Sequence, residues 1–142
     1  MQQVLIIGLL LIMGIACSKD STQTDTAIPY IPVNETVNIN DPKFSTLKNN
    51  GGWAYLNGGS RGIILYREST EVVRAYERHC TFDPTEVCST VDMDAALLQA
   101  NDADCCGSIF SLLNGAIIKG PASRPLLQYQ TTFDGTTITV TN

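Results

Sequence analysis

The stretch Asp104-Cys105-Cys106-Gly107-Ser108-Ile109-Phe110-Ser111-Leu112-Leu113-Asn114-Gly115-Ala116-Ile117-Ile118-Lys119-Gly120-Pro121-Ala122 sets two adjacent cysteines directly in front of a β-hairpin. Residues 109–113 and 116–118 are β-rich runs on either side of Asn114-Gly115. Asn-Gly readily takes the positive φ that a tight hairpin turn requires. The paired cysteines constrain chemistry as well as structure. Neighbouring Cα atoms lie about 3.8 Å apart, whereas disulfides prefer about 4.4–6.8 Å, so Cys105 and Cys106 are disfavoured as each other's partners. Cys80 and Cys88 are the other cysteines of this region, and both cross-pairings stay open on spacing alone.

Outward from that hairpin the same grammar repeats. Residues 53–56 and 62–66 flank Asn57-Gly58-Gly59, and residues 128–133 and 137–140 flank Asp134-Gly135, which gives three hairpins in all. Residues 71–77 add Val72-Val73 and Ala75-Tyr76, a further strand. Residues 93–100 have a helical look, with Asp92 or Asp94 as an N-cap, but eight residues without strong periodicity read better as a connection between strands at 87–91 and 97–99. No internal repeat is visible. The fold class expected is all-β.

The first sixteen residues stand apart from this pattern. Residues 4–15 form an unbroken apolar run of twelve, short for a bilayer span and typical of a signal-peptide core. The run ends at Gly14-Ile15-Ala16-Cys17, followed by Ser18-Lys19-Asp20, which resembles the lipobox of bacterial lipoproteins. The expectation is a signal peptide over 1–16, an acylated Cys17 that anchors the chain to a membrane, a flexible Ser-, Thr- and Asp-rich tether over 17–30, and a domain over 31–142. The location that follows is a bacterial cell envelope, on a periplasmic or surface face. Nine Lys and Arg against a net charge of −5 argue against nucleic acid as a partner. With Cys17 acylated, four of the five cysteines remain, and in an oxidising compartment an even number suggests two disulfides.

Cys80 after a strand, Cys105-Cys106-Gly107-Ser108 before a hairpin, Gly120-Pro121-Ala122, then Leu126, Tyr129 and Asp134-Gly135, occur in an order that resembles the Rieske-type [2Fe-2S] domain superfamily. The likeness runs over about residues 31–142, and within it a divergent Cys-Cys-Gly-Ser subgroup of envelope lipoproteins is most similar. It implies an antiparallel β-sandwich with two cysteine-bearing loops at one end. In that family one loop gives Cys-x-His and the other Cys-x-x-His-Gly-Ser, with two thiolates on one iron and two imidazoles on the other. Here Cys80 matches the first cysteine, but Phe82 stands at the first histidine, Ala103 at the second cysteine and Cys106 at the second histidine. Phe82 and Ala103 are therefore lost-ligand positions. The resemblance further implies that Cys88 pairs with Cys105, and that Cys80 and Cys106 face each other where the cluster would lie and pair as a second disulfide.

Other candidates read more plainly. The lone histidine, His79, is expected on the surface, because on a strand it points away from Cys80. Glu68, Glu71, Glu77 and Glu86 read as solvated strand edges, Asp102 and Asp104 as loop-solvating residues, and Trp53 and Tyr55 as core or half-core. There is no catalytic triad, nucleophile elbow, P-loop or dinucleotide motif, so a non-enzymatic role is expected. The favoured expectation is an envelope lipoprotein with degenerate cluster ligands and no metal or cofactor, a disulfide-stapled binding or structural module. The alternative is electron transfer by a [2Fe-2S] cluster on Cys80, Cys88, Cys105 and Cys106. A zinc site on the same four is weaker, for lack of a Cys-x-x-Cys pair. No residue pattern specifies a protein partner.

Overall fold

The computed structural model describes residues 27–142; the expected signal peptide, Cys17 and the expected tether up to residue 26 lie outside them. In chain order the strands are β1 (Asn34–Asn38), β2 (Trp53–Leu56), β3 (Ile63–Arg67), β4 (Val73–Glu77), β5 (Asp92–Asp94), β6 (Gln99–Asn101), β7 (Ile109–Ser111), β8 (Ile117–Lys119), β9 (Gln128–Phe133) and β10 (Thr137–Thr141). A 3-10 helix, Pro42–Lys48, follows β1; Asp41 caps it by accepting from the Lys43 N–H at 3.2 Å.

β3 is buried at every position, which a strand achieves only when both of its faces are covered. Alternation sends Ile63 and Leu65 into one core and Ile64 and Tyr66 into another. β4 divides the same way, Val73 and Ala75 against Tyr76. β3 and β4 lie inside a six-stranded antiparallel sheet of order β1-β10-β9-β4-β3-β2. Its first core is completed by Phe44 and Leu47 of the 3-10 helix and by Ile138 and Val140 of β10.

The second core joins that sheet to a four-stranded one, order β5-β6-β7-β8, through Ala100, Phe110 and Leu112. Phe110 and Leu112 are fully buried, and burial of such side chains is worth about 1.5–3 kcal/mol each. Hydrophobic contact across this layer therefore holds the cysteine-bearing end of the domain onto the larger sheet. The architecture is the all-β sandwich expected, and the three hairpins form as β2/β3, β7/β8 and β9/β10.

The segment around 87–100 differs from expectation. Residues 87–91 form no strand; Val87 is 91% exposed and only Thr90 makes an isolated bridge, to His79. The helical look of 93–100 belongs to the β5/β6 hairpin, whose second strand begins two residues later than the sequence pattern suggested. β1 carries the polar sequence Asn-Glu-Thr-Val-Asn with only Val37 buried, and is a strand because β10 offers it an edge.

Glu77 also departs from expectation. Far from a solvated edge, it is fully buried. Its carboxylate accepts from the N–H groups of Ser60 (2.7 Å), Arg61 (2.9 Å) and His79 (2.9 Å) and from the Tyr129 hydroxyl (2.7 Å). Burial, and then the carboxylate itself, push the Tyr129 phenol above its ordinary range, so it remains a donor. The turn that supplies two of these donors closes over the carboxylate at Gly59: a Cβ there would stand 2.3 Å from Glu77 Oε2, and the φ of +61° is left-handed as well.

Removing the acceptor leaves three backbone donors and a phenol unpaired, at about 1–3 kcal/mol for each buried group. Glu77→Ala is expected to lose about 3 kcal/mol or more of unfolding free energy, and Tyr129→Phe about 1.5–3 kcal/mol. Urea denaturation at an unchanged m-value checks both.

Candidate functional site

Two loops meet at one end of the sandwich. The first, residues 79–90, leaves β4 and turns back to β5. The Cys80 N–H bonds to Ser89 O at 3.1 Å, and the Val91 N–H to Arg78 O at 2.7 Å. Arg61, from the β2/β3 turn, buttresses this loop by donating to the carbonyls of Glu86 (2.6 Å) and Val87 and to Thr90 Oγ1 (3.2 Å). The second loop, residues 102–108, joins β6 to β7. It closes on itself through Asp102 N–H to Ser108 O (2.9 Å) and Gly107 N–H to Asp102 O (2.7 Å). Gly107 makes that closure with a φ of +73°, a conformation glycine adopts without strain.

The Cys88–Cys105 disulfide implied by the resemblance joins the loops, Cα to Cα 5.3 Å. Cys80 and Cys106 face each other, as implied, but they are free thiols with sulfurs 3.6 Å apart, and the second bridge is not formed. The Cys106 sulfur also lies 3.2 Å from Asp102 Oδ2 and 3.0 Å from Ser108 Oγ, and receives the Ser108 N–H at 3.4 Å. Ser108 Oγ in turn accepts the Ala122 N–H at 2.9 Å, which ties the hairpin's exit to the site.

Asp102 corrects the expectation of a loop-solvating carboxylate. It is fully buried, and its Oδ1 has no hydrogen-bond partner. β6 explains this: Ala100 is buried at its centre, and alternation carries the next inward position to Asp102. With the strand placed at 97–99 that signal was invisible. Ala103, which the resemblance set at the second cysteine position, is exposed, and the carboxyl group one residue earlier occupies the interior. Phe82, which it set at the first histidine position, packs against the second core, of which Cys80 is a member. One donor atom from each of Cys80, Asp102 and Cys106 lies within 4.8 Å of the other two.

Burial pushes the Cys80 thiol far above the ordinary thiol range; the Phe82 N–H opposes that shift, and Asp102 and Cys106 reinforce it. His79 is buried, not exposed as expected, because the first loop folds over it. Its ring spans Ser60 Oγ and Pro84 O, each at 2.8 Å, and burial holds its pKa below the ordinary value. It stands outside the thiol–carboxylate cluster. Trp53 and Tyr55 are half-buried and meet edge to face at 5.1 Å, with Arg78 over the Tyr55 ring. A cleft of about 420 Å³ opens beside the first loop, lined by Thr81, Pro84, Leu126 and Leu127 among others, but Cys80, Asp102 and Cys106 do not line it.

No protein-family model matches the chain, and no curated protein matches it. Among solved structures it is similar to the cyanobacterial plasma membrane Rieske protein PetC3 from Synechocystis PCC 6803, with 21% identity and a TM-score of 0.56 over 80% of this chain and 100% of that one. It is also similar to the ferredoxin of carbazole 1,9a-dioxygenase from Nocardioides aromaticivorans IC177, with 18% identity and a TM-score of 0.51 over 79% of this chain and 98% of that one. The fold is therefore Rieske-like.

The Cys88–Cys105 bridge spans a sequence separation of 17, and closing a loop of that size is worth about 3 kcal/mol in the chain-entropy model. Cys88→Ser and Cys105→Ser are each expected to destabilise by about that amount, and the double variant by little more, since both break one bond. Denaturant midpoints of the three variants check this. Among the free thiols the half-exposed Cys106 is expected to alkylate before the buried Cys80, read by mass spectrometry after brief iodoacetamide exposure.

Proposed function

We propose that this chain is a lipid-anchored module of a bacterial cell envelope that uses a Rieske-like frame without a Rieske cluster, as a disulfide-stapled binding or structural domain. The observation that carries the reading is the donor set between the loops. A [2Fe-2S] cluster takes four protein donors, two on each iron. Phe82 and Ala103 supply none, and the sulfurs of Cys88 and Cys105 are bonded to each other. What remains is two thiols 3.6 Å apart and one carboxylate. Three donors do not fill the four protein positions of a two-iron cluster.

Membrane attachment in this reading belongs to a lipid on Cys17, after the apolar run 4–15. Among the described residues no helix is long and apolar enough to cross a membrane. The staple and the buttress at Arg61 hold the loop end in one shape, which suits a surface presented to a partner.

Protein prepared from its native envelope is expected to be colourless, with no stoichiometric iron or labile sulfide, by absorption spectroscopy and elemental analysis. Two irons and two sulfides per chain would overturn the cluster-free reading in favour of electron transfer. Cys17→Ser is expected to release the chain from the membrane fraction and remove the lipid mass; unchanged association would remove the anchor from the proposal.

A further inference from the structure

We propose that Cys80, Asp102 and Cys106 form a binding site for a single thiophilic divalent cation of the zinc class, held by two thiolates and one carboxylate. The inference rests on the cluster-free reading and names a ligand for the same site. Its first support is metric. Tetrahedral zinc–thiolate bonds of about 2.3 Å place two sulfurs about 3.8 Å apart, and a carboxylate oxygen at about 2.0–2.2 Å from the same ion falls about 3.6 Å from each sulfur. Here the sulfurs are 3.6 Å apart, Asp102 Oδ2 is 3.2 Å from the Cys106 sulfur, and all three donors sit within 4.8 Å of one another. Shifts of well under a bond length bring them around one ion.

The second support is Asp102 itself. It is fully buried, and its Oδ1 finds no donor. A buried carboxyl oxygen without a hydrogen-bond donor is costly, and a metal ion at this point gives it a bonding partner. The Cys106 thiol cannot serve both of its oxygen neighbours, since it carries one S–H proton for two acceptors, Asp102 Oδ2 and Ser108 Oγ.

The surroundings are organised for the task. The Cys88–Cys105 bridge fixes one loop against the other. The Ser108 N–H already points at the Cys106 sulfur at 3.4 Å, the kind of outer hydrogen bond that orients a thiolate ligand. Binding replaces the S–H bond of each thiol by a sulfur–metal bond and releases one proton from each to solvent, with no electron transferred. Three protein donors leave the fourth tetrahedral position to water.

The test uses the full chain, extracted in detergent, stripped of metal and reduced at Cys80 and Cys106 under conditions that keep the Cys88–Cys105 bridge. Titration with Co²⁺ is expected to give one ion per chain, a thiolate-to-cobalt charge-transfer band, release of two protons per ion, and displacement by Zn²⁺. Asp102→Asn is expected to weaken binding by more than about tenfold. Cys106→Ser is expected to remove about half of the charge-transfer intensity and most of the affinity. Asp104→Asn, an exposed carboxylate of the same loop, is expected to change nothing. An intact Cys88–Cys105 bridge and an unchanged near-UV circular dichroism spectrum verify the fold of each variant. Absence of bound Co²⁺, binding without the charge-transfer band, affinity indifferent to Asp102→Asn, or a Cys80–Cys106 disulfide in protein from the native envelope would each overturn the site and leave the cluster-free reading standing. Two irons with two labile sulfides would instead remove that reading and this inference together.

Discussion

A single buried carboxylate sets the register of the parts that matter. Glu77 ends β4, and its two oxygens gather the turn between β2 and β3, the Tyr129 hydroxyl of β9 and the first N–H of the first loop. Four donors on one acceptor in a dry interior are worth more than four separate contacts, because none has water as an alternative. The same turn then sends Arg61 onto the carbonyls of the first loop. The position of Cys80 is thus fixed from the large sheet outward. The two cores on either face of β3 and β4 make that sheet too rigid to drift.

The second loop is held differently. Its backbone closes between Asp102 and Ser108, its hairpin is anchored by Phe110 and Leu112 in the shared core, and the Cys88–Cys105 bridge ties it across to the first loop. Hydrophobic contact positions the small sheet, and a covalent staple sets the last few ångströms between loop tips. That division of labour leaves Cys80 and Cys106 free of structural duty. Neither is needed to close the loops, and the contact between their sulfurs is a consequence of the frame.

What was legible in the sequence follows the range of the forces involved. The hairpins at β2/β3, β7/β8 and β9/β10 were readable because an Asn-Gly, Asp-Gly or Asn-Gly-Gly turn acts within a few residues of itself. The four cysteines of the loop end were readable from motif order, and so was their assembly at one end. β1 was not, because its polar sequence becomes a strand only beside β10, with Asn34 opposite Thr141. Glu77 and His79 looked like surface residues because their partners lie in other elements: Tyr129 is 52 positions from Glu77 and Ser60 is 19 from His79. Asp102 was missed because the strand was expected to end at 99, two residues short, so that the alternation which buries Ala100 was not carried on to 102.

The exposure of Ala103 and the burial of Asp102 belong together. The second loop leaves β6 with alternation still in force, so one residue in two faces the interior, and Asp102 rather than Ala103 holds that place. Its carboxyl is buried with one oxygen unpaired, at a point where an alanine would leave no polar group to satisfy. Phe82, by contrast, is apolar and partly buried, packed against the second core that includes Cys80. The two positions therefore differ in kind: Phe82 brings an apolar, partly buried side chain to the loop end, and Asp102 a buried oxygen donor within reach of both sulfurs.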